Sequence, residues 1–162
     1  MHKIDDFLNV WKMESESTLK VFAALQDDKL SQSVVPGGYS IGSLAWHIAN
    51  AIVAIPAHAG LLPLPEKKSA PSTVDGITAA YRHNSALLTS ELQEKWSDAQ
   101  LAEQVTFFGR TLRRGAVLSI ILFHQAHHRA QITVLMKQAG LKVPGVYGPS
   151  EDDIAAMKAM KK

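Results

Sequence analysis

From Ile4 onward, apolar or small side chains recur at steps of four and three: Ile4, Leu8, Trp11, Ser15, Thr18, Phe22 and Leu25. That spacing keeps one stripe of a helix turned the same way over many turns, whereas a strand changes face at every residue. A chain that opens this way can bury the stripe only against other helices. The stripe is apolar at both ends and hydroxylic in its middle, which a purely structural bundle would avoid.

Three more segments carry helical signals. After Asp27-Asp28-Lys29 and the turn-rich Pro36-Gly37-Gly38-Tyr39, Ser40 has the character of an N-cap. The helix it opens puts Leu44, His47, Ile48, Ala51, Ile52 and Ile55 on one face, and Pro56 kinks or stops it. From Gly60 to Ser72, three prolines and Lys67-Lys68 exclude helix over a length too great for a simple turn, so the segment is expected to be a crossover. Ser72 and Asp75 resemble a capping box for a third helix, with Ile77, Tyr81, Asn84 or Ser85, Leu88, Leu92 and Trp96 inward. Gln104 to Arg114, broken by Gly109, suggests a small hairpin or an extended turn. Gly115 to Ala139 is the longest helical segment, closed by Gly140 with Lys137 in its last turn. Val143 to Pro149 is rigid coil, and Ser150 before Glu151-Asp152-Asp153 caps a short terminal helix. The expected architecture is all-α: one domain over residues 1–162, a four-helix bundle with a long crossover between its second and third helices and a short C-terminal helix. The 162 residues suit one domain, and 46% apolar composition is enough for its core.

Composition then excludes several kinds of chemistry. With no cysteine, the chain cannot be a disulfide scaffold, a thiolate zinc ribbon, an iron–sulfur protein or a thiol enzyme working through its own sulfur. A formal charge of +2 is far from the dense basic surface of a nucleic-acid binder. The longest apolar run, Ala116 to Phe123, is too short to cross a bilayer, and Asp5-Asp6 stand where a signal peptide would carry basic and apolar residues. The expectation is a cytoplasmic protein acting on neither membranes nor nucleic acid.

Chemistry is left to the seven histidines and their neighbours. His124 and His128, four residues apart on the longest helix, project from one face and can grip a single ion. His47, on the inward face of the second helix, is the best third ligand. Three neutral imidazoles leave a divalent ion its full charge and an open position, the arrangement that activates water in zinc enzymes. A lone His-x-x-x-His is also a common accident, and a histidine on an apolar face is often only a hydrogen-bonded core residue. His127 points about 100° away from His128, and His58 lies about 16 Å along the axis from His47, so neither is placed to ligate with them. His2 and His83 are expected in solvent. Ser15, Thr18 and Asn84 on the seams suggest a wet pocket in the bundle, unless they bond to their own helix backbone. Thr18, Tyr81, Asn84, Arg129 and Tyr147 are candidate pocket contacts, and Gln131 beside the pair could bind a substrate anion or steady a ligand. No general base stands out, and the absence of any Glu-x-x-His motif disfavours a di-iron carboxylate bundle.

The segments Ser40-Ile41-Gly42-Ser43-Leu44-Ala45-Trp46-His47-Ile48-Ala49 and His124-Gln125-Ala126-His127-His128-Arg129-Ala130-Gln131-Ile132 resemble the DinB-like superfamily of four-helix-bundle proteins, over essentially the whole chain. The resemblance implies that His47, His124 and His128 ligate a divalent ion, nickel or zinc being common. It also implies a class of activities: transfer to or from low-molecular-weight thiols such as bacillithiol or mycothiol, thiol-dependent isomerisation, or hydrolysis. Ala130 stands where the family usually has glycine, which bears on close packing near the site. Two readings follow. One is a metal-dependent enzyme that activates a water or an exogenous thiol against a small-molecule substrate. The other is a non-catalytic metal-binding or stress-response module, dimeric through Ala116 to Phe123, a run apolar nearly all round.

Overall fold

The computed structural model describes residues 1–160. Its elements are α1 (Ile4–Phe22), α2 (Ile41–Ala57), α3 (Val74–Lys95), a hairpin of β1 (Gln104–Phe107) and β2 (Arg110–Arg113), α4 (Arg114–Gln138) and α5 (Glu151–Ala159). The fold is all-α with one small hairpin, as its sequence pattern predicts.

The helix ends follow their local chemistry. Ser40 caps α2 through a reciprocal box with Ser43, and Ser150 does the same for α5 with Asp153. For α3 the cap is Thr73, which accepts from Gly76 N, rather than Ser72; glycine has no side chain to reciprocate, so the box expected from Ser72 and Asp75 does not form. No neighbouring side chain caps α1. Instead Asp98, from beyond α3, accepts from Ile4 N at 2.8 Å and places a carboxylate at the positive end of the helix. Helix α4 ends at Gly140, whose φ of +74° suits the reversal there. At the hairpin tip Phe108 and Gly109 both have positive φ (48° and 75°), the conformation a two-residue turn requires of both central positions.

Side-chain contacts fix the helix directions. Trp11 Nε1 donates to Ser85 while Tyr81 lies beside Thr18, so α1 and α3 run antiparallel. Met1 passes over Gly115 and Glu14 reaches Arg129, so α1 and α4 run parallel. Leu44 borders the same cavity as Leu135 and His47 faces His124, so α2 and α4 are antiparallel. It follows that α2 and α3 are parallel neighbours, and the chain must travel the length of the bundle between them. The Pro-rich segment expected to cross over does so, as coil. Gly115 is needed where it stands, because a Cβ there would lie 2.2 Å from the Met1 carbonyl oxygen.

The core is apolar at both ends of the bundle and polar in the middle, but the polar groups are consumed by one another. Arg129 is 2% exposed. Its guanidinium donates to the Glu14 carboxylate at 2.8 Å, the Glu14 carbonyl at 3.0 Å, the Thr18 hydroxyl at 3.1 Å and the Tyr147 hydroxyl. Tyr81 donates to Gln125 Oε1 at 2.6 Å, and Asn84 donates to the Ala49 carbonyl on α2 at 2.8 Å. Ser15 bonds back to the Lys12 carbonyl. Around Thr18 the wet pocket expected on the seams is therefore replaced by a hydrogen-bonded network tying α1, α3, α4 and the tail together, with Gln125 Nε2 left buried without a partner. Removing one partner of a buried ion pair leaves the other uncompensated. Arg129→Met should lower the unfolding free energy in urea by about 3–5 kcal/mol, and adding Glu14→Leu should restore most of it.

Candidate metal centre

The site grows from the α2/α4 contact. His124 and His128, one turn apart on α4, face His47 one turn beyond Leu44 on α2. The Nε2 atoms of His47 and His124 are 3.1 Å apart, and one ring nitrogen from each of the three histidines lies within 4.8 Å of the others. Nitrogens sharing one first-row ion stand about 3–3.5 Å apart, so the closest pair is already at ligating separation. His47 is exposed and the other two are half-buried, which leaves the cluster open to solvent on one side.

The electrostatics suit an ion. Partial burial, followed by the nearby His128, His47 and His127 rings, pushes the His124 pKa down to about 4. Burial and then His128 also lower that of His47. Both rings are therefore neutral at pH 7 and carry a free lone pair. Their facing nitrogens can share a single proton, whereas an ion would satisfy both. On the third ring, His128 Nδ1 lies 2.7 Å from Gln131 Oε1. An amide oxygen only accepts, so His128 carries its proton on Nδ1 and turns the Nε2 lone pair outward, the usual outer support of a metal-binding imidazole. His124 lacks such support, its Nδ1 being buried without a partner. The donor set, its neutrality and its geometry fit a divalent metal ion.

The other expected residues fall elsewhere. Thr18, Tyr81 and Arg129 lie in the buried network and Tyr147 closes it from the tail, whereas the half-buried Asn84 bonds the Ala49 carbonyl and lines a separate cleft with Trp46 and Asn50. His127 is exposed, its ring 4.9 Å from that of His128. At the far end of α2, His58 meets the Phe107 ring edge-on and the Phe108 ring at a tilt, while His2 and His83 are exposed. Ala130 is also exposed, so its methyl meets solvent and crowds nothing. Reading the first seam escaped Glu14 and Gln125. Glu14 continues the row Phe7, Trp11, Thr18 at steps of four, three and four, and Gln125 precedes Arg129 by one turn; those intervals were the available signal.

A helical bundle with three converging histidines on two antiparallel helices is the class of protein this geometry defines. The DinB family profile matches residues 1–160, and the chain belongs to that family. It is 36% identical over 154 residues to the uncharacterized protein YrdA of Bacillus subtilis (strain 168), covering 94% of this chain and 92% of that protein. It is similar to the crystal structure of a DinB-like protein from Bacillus cereus ATCC 10987, with 41% identity, a TM-score of 0.84, and coverage of 90% of this chain and 99% of that one. The DinB-like protein YjoA of Bacillus subtilis shares the fold alone, at 15% identity and a TM-score of 0.61 over 88% of this chain and 96% of that one. No helix among the described residues is long and apolar enough to cross a membrane.

Because His47 and His124 have lowered pKa values in the folded chain, the unfolded chain binds more protons as pH falls below 6.5. The metal-free protein should thus lose stability steadily between pH 6.5 and about 4. Thermal melts across that range should show the midpoint falling with pH, with a shallower slope in His124→Gln.

Proposed function

We propose that the protein is a metal-dependent enzyme acting on a small-molecule substrate, with His47, His124 and His128 holding a divalent ion, zinc or nickel. The observation that carries this reading is the convergence of three imidazole nitrogens within 4.8 Å. Such an ion supplies Lewis acidity, favouring the deprotonated form of a water or a low-molecular-weight thiol that ligates it. The chain provides no thiol. In a transferase reaction the sulfur therefore arrives as a second small molecule, and in a hydrolase water takes that place. His128 is steadied by Gln131, and the open side at His47 admits the electrophile.

Protein purified without a histidine tag should carry about one ion per chain by mass spectrometry, and His124→Ala should carry almost none while remaining folded. Zinc at 100 times its Kd should stabilise the wild-type chain by about 2.7 kcal/mol, and chelation should reverse the shift. A stable, ion-free wild type would overturn the metal reading. An electrophile screen with and without small thiols, each repeated after chelation, separates the enzyme from a non-catalytic binding module: only the enzyme shows turnover that chelation abolishes.

A homodimer is part of this reading, and a stripe on the outer face of α4 supports it. Ala116, Ile120, Phe123, His127 and Ala130 follow at steps of four and three, opposite the seam that faces the core, and Phe123 is 72% exposed. A second copy packed antiparallel would cover the stripe with its own. Sedimentation should give a dimer at micromolar concentration, and Phe123→Asp should raise the dimer Kd by about 100-fold or more, given the size of one buried aromatic.

A further inference from the structure

The α2/α4 seam continues past the histidines toward the N-terminus of α2. On α4 it runs His124, His128, Gln131, Leu135, and on α2 the residue one turn before His47 is Leu44. Beyond Gln131 the two helices and the loop between α1 and α2 enclose a cleft of about 310 Å³, walled by Leu44, Leu135, Val134, Val34, Val35 and Tyr39. The size is at the lower end for small-molecule sites.

We propose that this cleft seats the apolar part of a small-molecule substrate whose polar, reactive end lies at the histidine cluster. The inference rests on the metal reading above and adds the class of substrate: an alkyl or aryl compound with a ligating or electrophilic head group. Three observations carry it. The cleft lies one side chain away from the histidine cluster, since Gln131 both lines it and accepts from His128 Nδ1. Its chemistry is graded, because Gln131 is its one amide side chain and stands at the histidine end, whereas the walls beyond it are valine, leucine and the tyrosine ring. Its apolar walls are also left open: Val34, Val35, Tyr39 and Val134 are each more than half exposed, an unusual concentration of large apolar side chains on one small area. A cleft this small, one side chain from the histidine cluster, suits a short chain or one ring better than a protein surface.

The test uses alkyl hydroxamates, whose head group chelates a divalent ion, with the zinc-loaded protein in a calorimeter. Hexanohydroxamate carries four more methylenes than acetohydroxamate. If each methylene enters the cleft, affinity should rise about two- to fourfold per group, or roughly 16- to 250-fold overall. Val134→Asp, and independently Val35→Asp, should erase the chain-length gradient while leaving zinc stoichiometry and acetohydroxamate affinity unchanged. Both positions are exposed, so the variants should fold. In carbon-13 spectra, hexanohydroxamate should shift the Val34 and Val35 methyl signals. If acetohydroxamate binds but longer chains bind no better, the cleft inference is overturned and the metal centre stands. A gradient that survives both variants places the chain elsewhere and equally overturns it. If zinc itself does not bind, both readings fall together.

Discussion

The buried guanidinium of Arg129 settles how α4 is turned, and the convergence of the three histidines depends on that setting. Arginine does not lose its charge inside a protein, so it must find an anion and enough acceptors once it is dehydrated. Here Glu14, Thr18 and Tyr147 supply them from α1 and the tail. With Arg129 and Gln125 turned toward α1 and α3, the residues immediately before them, His128 and His124, are rotated by about 100° and face α2. The same register fixes both rows. An α4 free to roll by one position would unpair a buried charge and scatter the histidines together, which ties the stability of the core to the aim of the site.

Much of this was readable in the chain because the relevant signals are local. Ser40 and Ser150 caps, the Gly140 stop, the hairpin around Gly109 and the His124/His128 interval each depend on a few neighbouring residues. Likewise, prolines that cannot enter a helix interior revealed the crossover. The cap of α3 falls one residue later than expected because Ser72 and Thr73 offer nearly the same hydroxyl, and local spacing does not separate them. The polar mid-bundle was harder. Ser15, Thr18 and Asn84 sit on the expected seams, but whether a polar seam holds water, substrate or another side chain is decided by partners distant in sequence. Glu14 is the instructive case: its place in the row Phe7, Trp11, Thr18 turns it inward, but the partner that makes a buried carboxylate tolerable, Arg129, stands 115 residues away. The cleft beyond Gln131 was equally out of reach, since it exists only once the loop between α1 and α2 folds over the end of the seam.

That division between the two rows of α4 has a chemical consequence. Glu14, a largely buried carboxylate, is engaged by Arg129, which projects from another face of α4 than the histidines. The ligand set is left without a negative charge of its own. Imidazoles with no carboxylate among them would hold a cation without diminishing its charge, so the field of a bound ion would fall on whatever occupies the open position. A carboxylate in the cluster would strengthen ion binding but weaken that field. In a chain with no cysteine, the all-imidazole set is consistent with a site whose task is to lower the pKa of an exogenous ligand rather than to retain the ion as tightly as possible.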